Sequence, residues 1–290
     1  MSNYLVIEND ILKAAISPVG AELKCLQMKK TGLSLVWEGN PDIWSGSAPW
    51  LFPFVGRLKD GGFEYRGHWY KLEKHGFARK SLFEAENLNK SEALFILFQT
   101  PETLRSYPWP FKLMMTYSIE GCSLKMKAQV INTGSDTMPF SLGAHPGFYA
   151  SFGDQILFDE SEDLPVYRLN QSMQLLDPEP KEHFSGKELS LSPALFADDA
   201  MILKHPRSRV LTLARKAAPD IRVSFPQVPY LGLWCKPGPI LPYVCIEPWY
   251  GVDDATNATA SILEKEGINI LEPGQEFSMD LTIEAFEKRV

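Results

Sequence analysis

The chain has 290 residues, of which 44% are hydrophobic, and its formal net charge is -7. A chain of this length and hydrophobicity can bury a large core without disulfides or metals. The acidic balance argues against a surface for nucleic acid or for an anionic membrane, because both need clustered positive charge. The sequence has no apolar run of about 18 residues and no N-terminal basic region followed by an apolar stretch. We therefore expect a cytoplasmic protein.

Strands dominate the predicted secondary structure. Apolar and polar residues alternate repeatedly, with β-branched and aromatic side chains, whereas helical periodicity is not sustained. The clearest hairpin joins residues 111–120 to residues 123–132, and a shorter hairpin turns at Arg66 and Gly67. In chain order, the predicted strands are residues 4–8, 12–17, 22–28, 63–65, 68–72, 93–99, 111–120, 123–132, 138–142, 201–204, 210–214, 221–225, 243–247 and 277–286.

Helices and linkers contribute little to the predicted architecture. Short helices are expected at residues 101–106, at residues 192–197 and within residues 256–266. The 22 prolines and 20 glycines are spread along the chain without a linker-like concentration or a repeat. The four cysteines, at positions 25, 122, 235 and 245, form no CxxC pair, so we expect reduced, mostly buried thiols. The pattern predicts one all-β domain over residues 1–290, a large antiparallel sandwich with a few short helices.

Glu247 is the first candidate for acid/base chemistry. It ends the apolar strand at residues 243–247 and precedes Pro248, which favours an extended backbone. Burial at such a position raises a carboxyl pKa from about 4.3 towards neutrality, as a general base working near neutral pH requires. The alternative is a surface glutamate that pairs with a nearby lysine.

Two histidines offer proton donors. His145 is followed by Pro146 and lies between Gly143 and Gly147, so a ligand can approach the backbone closely. With an unperturbed pKa of about 6.5, an imidazole can donate and recover a proton at neutral pH. His75 follows the short hairpin and offers a second donor. A structural histidine in a turn explains either residue equally well.

An arginine and several tryptophans add candidates for ligand binding. Arg57 ends an aromatic-rich segment and can bind ligand oxygens in forked geometry, although a surface ion pair is the simpler explanation. Five of the seven tryptophans lie close to these motifs in the sequence, namely Trp44, Trp50, Trp69, Trp234 and Trp249. Flat apolar rings suit the C–H face of a sugar, although most tryptophans pack cores.

Six short segments share one further property. They are residues 17–23, 52–57, 75–79, 143–148, 198–199 and 246–249. Together they resemble the aldose 1-epimerases, also called galactose mutarotases, and in particular their LacX-like branch. The resemblance covers nearly the whole chain, and the order and spread of the segments are specific. It implies a large antiparallel β-supersandwich that interconverts the α and β anomers of an aldose without a cofactor or a metal.

The resemblance also implies roles for individual residues. Glu247 is similar to the general base that removes the proton of the anomeric hydroxyl, and His145 to the acid that protonates the ring oxygen. His75 and Arg57 resemble the residues that hold the ring-oxygen side of the sugar. The family also has an aspartate that binds sugar hydroxyls. Asp199 matches it best, and the adjacent Asp198 is the alternative.

The preferred sugar stays open as well. The longer His-Gly-Gly and asparagine motifs of galactose-specific enzymes are replaced here by the shorter motif at residues 75–77. A hexose 6-phosphate is therefore an alternative substrate, since basic residues near the expected pocket would neutralise its phosphate. Those residues are Lys59, Lys74 and Arg79.

Three other functions fit parts of this pattern. A non-catalytic carbohydrate-binding protein would keep the aromatic residues without needing an acid opposite a base. A metal enzyme would use His75, His145 and Glu247, but their wide separation in sequence gives no local metal motif. A glycoside hydrolase would use Asp199 and Glu247 as paired carboxylates and would leave the histidines without a role. The expected partner is a small sugar, and a homodimer is left open.

Overall fold

The computed structural model describes residues 4–286. Within this range the chain forms 22 β-strands, one short α-helix and four 3₁₀ helices. The strands are β1 (Leu5–Glu8), β2 (Leu12–Ser17), β3 (Glu22–Met28), β4 (Trp50–Leu51), β5 (Gly62–Tyr65), β6 (His68–Lys71), β7 (Glu84–Asn89), β8 (Glu92–Phe98), β9 (Phe111–Glu120), β10 (Ser123–Asn132), β11 (Met138–Phe140), β12 (Leu142–Ala144), β13 (Gly147–Tyr149), β14 (Gln155–Tyr167), β15 (Glu182–Ser190), β16 (Met201–Lys204), β17 (Val210–Ala214), β18 (Asp220–Ser224), β19 (Tyr230–Trp234), β20 (Tyr243–Tyr250), β21 (Asn269–Leu271) and β22 (Glu276–Phe286). Helix α1 spans Pro101–Ser106, and the 3₁₀ helices span Lys59–Gly61, Ala78–Lys80, Pro193–Phe196 and Ile262–Glu264. None of the helices in this range is long and apolar enough to cross a bilayer.

One large antiparallel sheet contains most of the strands. Its order is β4-β12-β20-β19-β16-β14-β17-β18-β22-β10-β9-β8-β7, with β13 added to β20 and β15 added to β14. Smaller sheets join β1, β2 and β3, β5 with β6, and β11 with β21. The predicted all-β architecture, a large antiparallel β-supersandwich with a few short helices, is therefore confirmed.

The alternating sequence pattern produces these strands for a simple reason. In β9 every second side chain, from Phe111 to Ile119, is buried, while those between are partly exposed. Because side chains of a strand point to opposite faces in turn, one face of β9 packs into the core. The β5–β6 hairpin turns at Arg66 and Gly67, which both have positive φ, the combination that a tight two-residue hairpin turn requires.

Three of the strands that sequence patterning missed are polar or contain a run of charged residues. β7 is exposed along its whole length, and β15 is mostly exposed, so neither shows a buried face in the sequence. β14 contains a run of acidic residues that hides its strand character. Within it, Glu162 is buried and accepts hydrogen bonds from the backbone N–H groups of Arg207 and Ser208. These backbone donors stabilise the buried carboxylate, so Glu162 stays within the sheet.

One predicted strand is broken in the structure. The strand expected at residues 138–142 becomes β11 and β12, because Ser141 leaves the ladder and donates its N–H to the carbonyl of Pro53 at 2.6 Å. In the opposite direction, the strand predicted to end at Glu247 continues to Tyr250.

A small apolar cluster lies beside the main core and supports the pocket described below. Strand β20 is buried on both faces, with β19 on one side and β12 and β13 on the other. Side chains from β20 are therefore enclosed wherever they point. The residues of this second cluster are Leu51, Val55, Leu169, Leu176, Ala200, Ile202, Tyr230, Trp249 and Val252.

Candidate functional site

The site is built where the ladder beside β20 is interrupted. Strand β13 pairs with β20 up to Cys245, and β12 pairs with it again from Trp249 onward. His145 lies between β12 and β13, opposite the unpaired part of β20. This places its side chain next to that of Glu247, which lies in the gap.

Pro248 explains why the backbone tolerates this interruption. The N–H of Ile246 donates to the carbonyl of Pro146 at 3.1 Å. Position 248, two residues further along, faces the same side of the strand. Because proline has no N–H group, no backbone donor is left unpaired there.

His145 and Glu247 form a buried contact. Nε2 of His145 lies 3.2 Å from Oε2 of Glu247. The two residues are 8% and 1% exposed. The contact lacks hydrogen-bond geometry, and both Oε2 of Glu247 and Nδ1 of His145 are buried without a hydrogen-bond partner. An acid and a base thus face each other with unused hydrogen-bonding capacity.

Burial controls the protonation of this pair. Loss of solvation is the main cause that lowers the pKa of His145 from 6.5 to about 3, and the positive charges of Lys74 and Arg79 act in the same direction. Loss of solvation also raises the pKa of Glu247 well above 4.5, against an opposing effect of Lys74. Both shifts favour the uncharged forms, so burial favours a proton on the carboxyl and a neutral imidazole.

The pair opens into a pocket of about 250 Å³. Five of the six residues proposed from sequence line this pocket, and Arg57 does not. Instead, Arg57 donates a hydrogen bond from its guanidinium to Oε1 of Gln174 at 2.9 Å, and Gln174 does line the pocket. The lining residues are Trp44, Pro49, Leu51, Lys74, His75, Arg79, His145, Leu169, Gln174, Asp199, Ala200, Ile202, Trp234, Glu247, Trp249 and Asp253.

His75 faces the pocket as a neutral donor. Its Nδ1 accepts a hydrogen bond from the N–H of Gly56 at 3.1 Å. Burial lowers the pKa of His75 well below 6.5, with positive charges nearby adding to the effect. In a neutral imidazole the nitrogen that does not accept carries the proton, so Nε2 is the donor. The ring lies edge-on to His145, with centroids 5.8 Å apart.

Two tryptophans hold the imidazole of His145. The ring of Trp44 stacks on it at a centroid distance of 5.1 Å, and that of Trp234 meets it edge-on at 5.5 Å. Tyr243 in turn stacks on Trp44 at 5.1 Å. These contacts fix the plane of the imidazole and leave partly exposed aromatic surface along the pocket.

The structure distinguishes between the two adjacent aspartates. Asp199 lines the pocket, whereas Asp198 lies outside it, is exposed and accepts a hydrogen bond from Gln171 at 2.7 Å. The backbone carbonyl of Asp199 accepts a hydrogen bond from the buried guanidinium of Arg168 at 3.1 Å. Arg168 also pairs with Glu182 at 3.0 Å, which anchors this segment to β15.

Asp253 is a site residue that sequence reasoning missed. It is 2% exposed, and its Oδ1 accepts the N–H of Arg57 at 2.7 Å. Burial raises its pKa above 3.8. The segment carrying Asp253 is held by its neighbour Asp254, which forms a buried ion pair with Lys265 at 2.7 Å. Two adjacent acidic residues after a glycine are common in surface turns, so the sequence offered no distinguishing signal.

Two of the three basic residues singled out in the sequence reach the pocket. Lys74 and Arg79 line it, and Arg79 donates a hydrogen bond to the carbonyl of Lys74 at 2.9 Å. Lys59 does not line the pocket, and its Nζ donates to the carbonyl of Ala258 at 2.8 Å. Among residues 4–286, no carboxylate forms an ion pair with Lys74.

Unpartnered polar atoms converge on the pocket. Buried polar groups are normally hydrogen-bonded, so each exception needs an explanation. Four lining residues have a buried side-chain nitrogen or oxygen without a partner, and a polar ligand would supply those partners. The atoms are Nε of Arg79, Nδ1 of His145, Oε2 of Glu247 and Nε1 of Trp249.

Comparison with known proteins identifies the family of this chain. A family model described as "Aldose 1-epimerase" matches residues 4–283. The chain belongs to the aldose 1-epimerase family. Two forms of protein LacX from Lactococcus lactis subsp. lactis, one encoded on a plasmid and one on the chromosome, are each 30% identical over 298 aligned positions. The alignments cover 97% of this chain and 96% of each relative.

Solved structures of the family share the fold. A galactose mutarotase related enzyme from Lactobacillus acidophilus has a TM-score of 0.91 at 32% identity, covering 98% of this chain and 97% of that one. A galactose mutarotase-like protein from Lactobacillus casei has a TM-score of 0.88 at 27% identity, covering 98% and 100%. A galactose 1-epimerase from Lactobacillus acidophilus has a TM-score of 0.71 at 14% identity, covering 99% and 95%, which shows the fold alone.

Proposed function

We propose that this protein is a cofactor-independent mutarotase that interconverts the α and β anomers of a hexose. The observation that carries the proposal is the buried contact of His145 with Glu247 inside the pocket, at 3.2 Å. Membership of the aldose 1-epimerase family supports a carbohydrate epimerase. The tryptophan rings beside the pair support a sugar as the ligand.

The proposed reaction moves one proton at each end of the bond between C1 and the ring oxygen. Glu247 as carboxylate removes the proton of the anomeric hydroxyl, while His145 as imidazolium protonates the ring oxygen. The C1–O5 bond breaks, and an open-chain aldehyde forms. Rotation about the C1–C2 bond and closure on the other face of the carbonyl then deliver the opposite anomer, with the two protons returned.

Burial of the pair determines which placement of its proton is favoured before and after ring opening. Before ring opening the pair is charge-separated, and after it the carboxyl carries the proton and the imidazole is neutral. Loss of solvation disfavours the charged forms, as the shifted pKa values of Glu247 and His145 indicate. The desolvated pocket therefore favours the proton placement that accompanies the open aldehyde, and ring closure restores the other placement.

The remaining pocket residues have proposed binding roles. His75 donates its Nε2 proton to oxygens on the ring side of the sugar. Asp199 accepts hydrogen bonds from sugar hydroxyls, and Trp234 packs against a C–H face. Arg57 acts at a distance from the sugar, because its guanidinium holds Gln174 and its backbone N–H holds the carboxylate of Asp253.

A hexose 6-phosphate is the second candidate substrate. Lys74 lines the pocket without an ion-pair partner among the described residues, and Arg79 beside it has an unpartnered Nε. Two cations on one wall would bind a phosphate by charge-assisted hydrogen bonds. A neutral hexose would supply no such anion to Lys74 and Arg79.

Polarimetry with fresh single anomers tests the function. Purified protein should accelerate the approach of α-glucose, α-galactose or a hexose 6-phosphate to its equilibrium rotation, above the spontaneous rate. Chelator treatment should not lower the rate. Binding without acceleration on any sugar of the panel would identify a non-catalytic carbohydrate-binding protein instead. The single-domain organisation, the cytoplasmic location and a homodimeric state stay predictions.

A further inference from the structure

We propose that His145, Cys245 and Glu247 form a binding site for a soft divalent cation such as Zn²⁺, which blocks the proposed acid/base pair. One possible ligand atom from each of the three residues lies within 4.8 Å of the other two. All three residues are buried. The cation site stands on this geometry alone, and only the predicted inhibition rests on the proposed function.

The backbone brings the three side chains together. Cys245 and Glu247 are two positions apart on β20, so their side chains point to the same face. His145 reaches that face across the interruption in the ladder. The site therefore differs from the set of two histidines and one carboxylate expected for a metal enzyme, because Cys245 takes the place of His75.

The thiol of Cys245 is available as a ligand. Opposite it in the ladder is Gly147, where an added Cβ would lie 3.4 Å from the Sγ atom and 2.8 Å from the ring of Trp44. Because Gly147 has no Cβ, the ring of Trp44 packs against this position and no side chain of residue 147 covers the thiol. Within the described part of the chain, the Sγ of Cys245 makes no hydrogen bond.

A second observation points to a ligand at this position. Oε2 of Glu247 and Nδ1 of His145 are unpartnered, although both residues are more than nine-tenths buried. A bound cation would satisfy the carboxylate, which accepts no hydrogen bond at that oxygen. The pocket gives the cation a route of entry, because His145 and Glu247 both line it.

The ligand chemistry selects the kind of cation. A sulfur, a nitrogen and an oxygen ligand suit Zn²⁺ or Co²⁺, whereas Mg²⁺ and Ca²⁺ prefer oxygen ligands alone. Tetrahedral zinc places such ligand atoms about 3.3 to 3.8 Å apart, so side-chain shifts of about 1 Å complete the site. Binding releases the thiol proton and any carboxyl proton to solvent, and the thiolate and carboxylate balance the two positive charges.

Cobalt absorbance tests the site without reference to activity. Titration of the protein with Co²⁺ should produce a near-ultraviolet thiolate-to-cobalt charge-transfer band that saturates at one equivalent and disappears when Zn²⁺ is added. Cys245→Ser should lose the band. Cys235→Ser changes another buried thiol outside the cluster and should keep it. Mg²⁺ should neither produce the band nor compete.

Inhibition is measured on the same proteins. The mutarotation rate of the wild type and of Cys235→Ser should fall at least tenfold at saturating Zn²⁺, relative to each protein's own metal-free rate. The concentration for half inhibition should rise at least tenfold in Cys245→Ser. If that variant does not fold, Glu247→Gln provides the test by weakening Co²⁺ binding at least tenfold while keeping the thiol.

Two results would overturn the proposal. The first is a wild-type protein without a charge-transfer band, and the second is Cys245→Ser binding Co²⁺ or Zn²⁺ as tightly as the wild type. A protein that shows the band but never accelerates mutarotation would retain the cation site and lose the proposed function. The two failures are therefore distinguishable.

Discussion

The imidazole of His145 meets the carboxylate of Glu247 at the gap between β12 and β13, with Nε2 and Oε2 3.2 Å apart. Backbone register positions both groups, since Gly143 pairs with Trp249 and Gly147 with Cys245 on either side of the gap. The stacked ring of Trp44 then fixes the imidazole plane. The proposed acid and base are therefore held by the sheet rather than by a mobile loop.

Removal of the proposed base should abolish the rate enhancement. In Glu247→Gln the amide cannot accept a proton, and in His145→Asn the acid is lost, so each change should reduce kcat by about 10² to 10⁴. Sugar binding, measured by calorimetry, should fall much less. Glu188→Gln, an exposed change on β15, is the matched control and should keep the wild-type rate. Normal mutarotation in Glu247→Gln would make the base assignment wrong.

The pH dependence should reflect the buried pair rather than an exposed histidine. The active form holds one proton on the pair. This form is lost at low pH, because a second proton binds His145, whose lowered pKa is about 3. It is also lost when the proton leaves Glu247, whose pKa is raised above 4.5. As the pH falls from about 7 to about 5, kcat/KM should stay level or rise.

Polarimetry across that range, corrected for the spontaneous reaction, gives the profile. NMR of the imidazole C–H signals of His145 provides an independent readout, and those signals should not titrate near pH 6.5. A kcat/KM that falls on acidification with a midpoint near 6.5, the ordinary pKa of histidine, would contradict the electrostatic account.

Loss of an aromatic wall should weaken sugar binding. Trp234→Ala removes a ring that lines the pocket and meets His145 edge-on. We expect KM to rise about tenfold, which corresponds to about 1.4 kcal/mol of binding free energy. Trp69→Ala, which removes a 43% exposed ring on β6, should leave KM unchanged. Equal effects of both variants on KM would remove the binding role of Trp234.

A glycine beside Asp253 should be sensitive to a single methyl group. Gly56 has a φ of +74°, and a Cβ there would lie 2.2 Å from Cγ of Asp253. Gly61 has a φ of +73° and nothing within 4 Å of an added Cβ. Both substitutions to alanine strain the backbone equally, so Gly56→Ala should lose about 1 to 3 kcal/mol more unfolding free energy through overpacking. Urea denaturation measures the difference, and equal losses would show that Asp253 is not tightly packed there.

The buried ion pair behind the pocket should matter for stability. Lys265→Met would leave Asp254 buried without its cation, at a cost of about 3 to 5 kcal/mol in unfolding free energy. Replacing both residues, as in Asp254→Asn with Lys265→Met, should recover part of that loss because no charge stays unpaired. A single variant as stable as the wild type in urea would contradict this role.

The fold and most of the pocket residues could be predicted from the sequence. The alternating pattern of β9 and β10 is local, so it predicts strands directly. Glu247 and His145 each precede a proline at or just after the end of a predicted strand, and this local pattern marked both as candidates. The family resemblance then supplied their pairing, which no local pattern contains.

The remaining site features depend on contacts between distant segments. Arg57 lies in a predicted motif, but its side chain is directed to Gln174, more than a hundred positions away. Asp253 is placed in the site by long-range contacts, because it accepts the N–H of Arg57 and its neighbour Asp254 pairs with Lys265. Cys245 was expected as an ordinary buried thiol, and its place beside the histidine follows from strand register. Such three-dimensional relationships leave no periodic or spacing signal in the sequence.

The most direct test of the account is anomer exchange measured by NMR, with magnetisation transfer between the α and β anomeric proton signals of an equilibrated sugar. The account predicts exchange well above the spontaneous rate with the wild type on at least one hexose or hexose 6-phosphate. It predicts exchange at the spontaneous rate with Glu247→Gln. Equal acceleration by the two proteins, or none by either on the full panel, would contradict it.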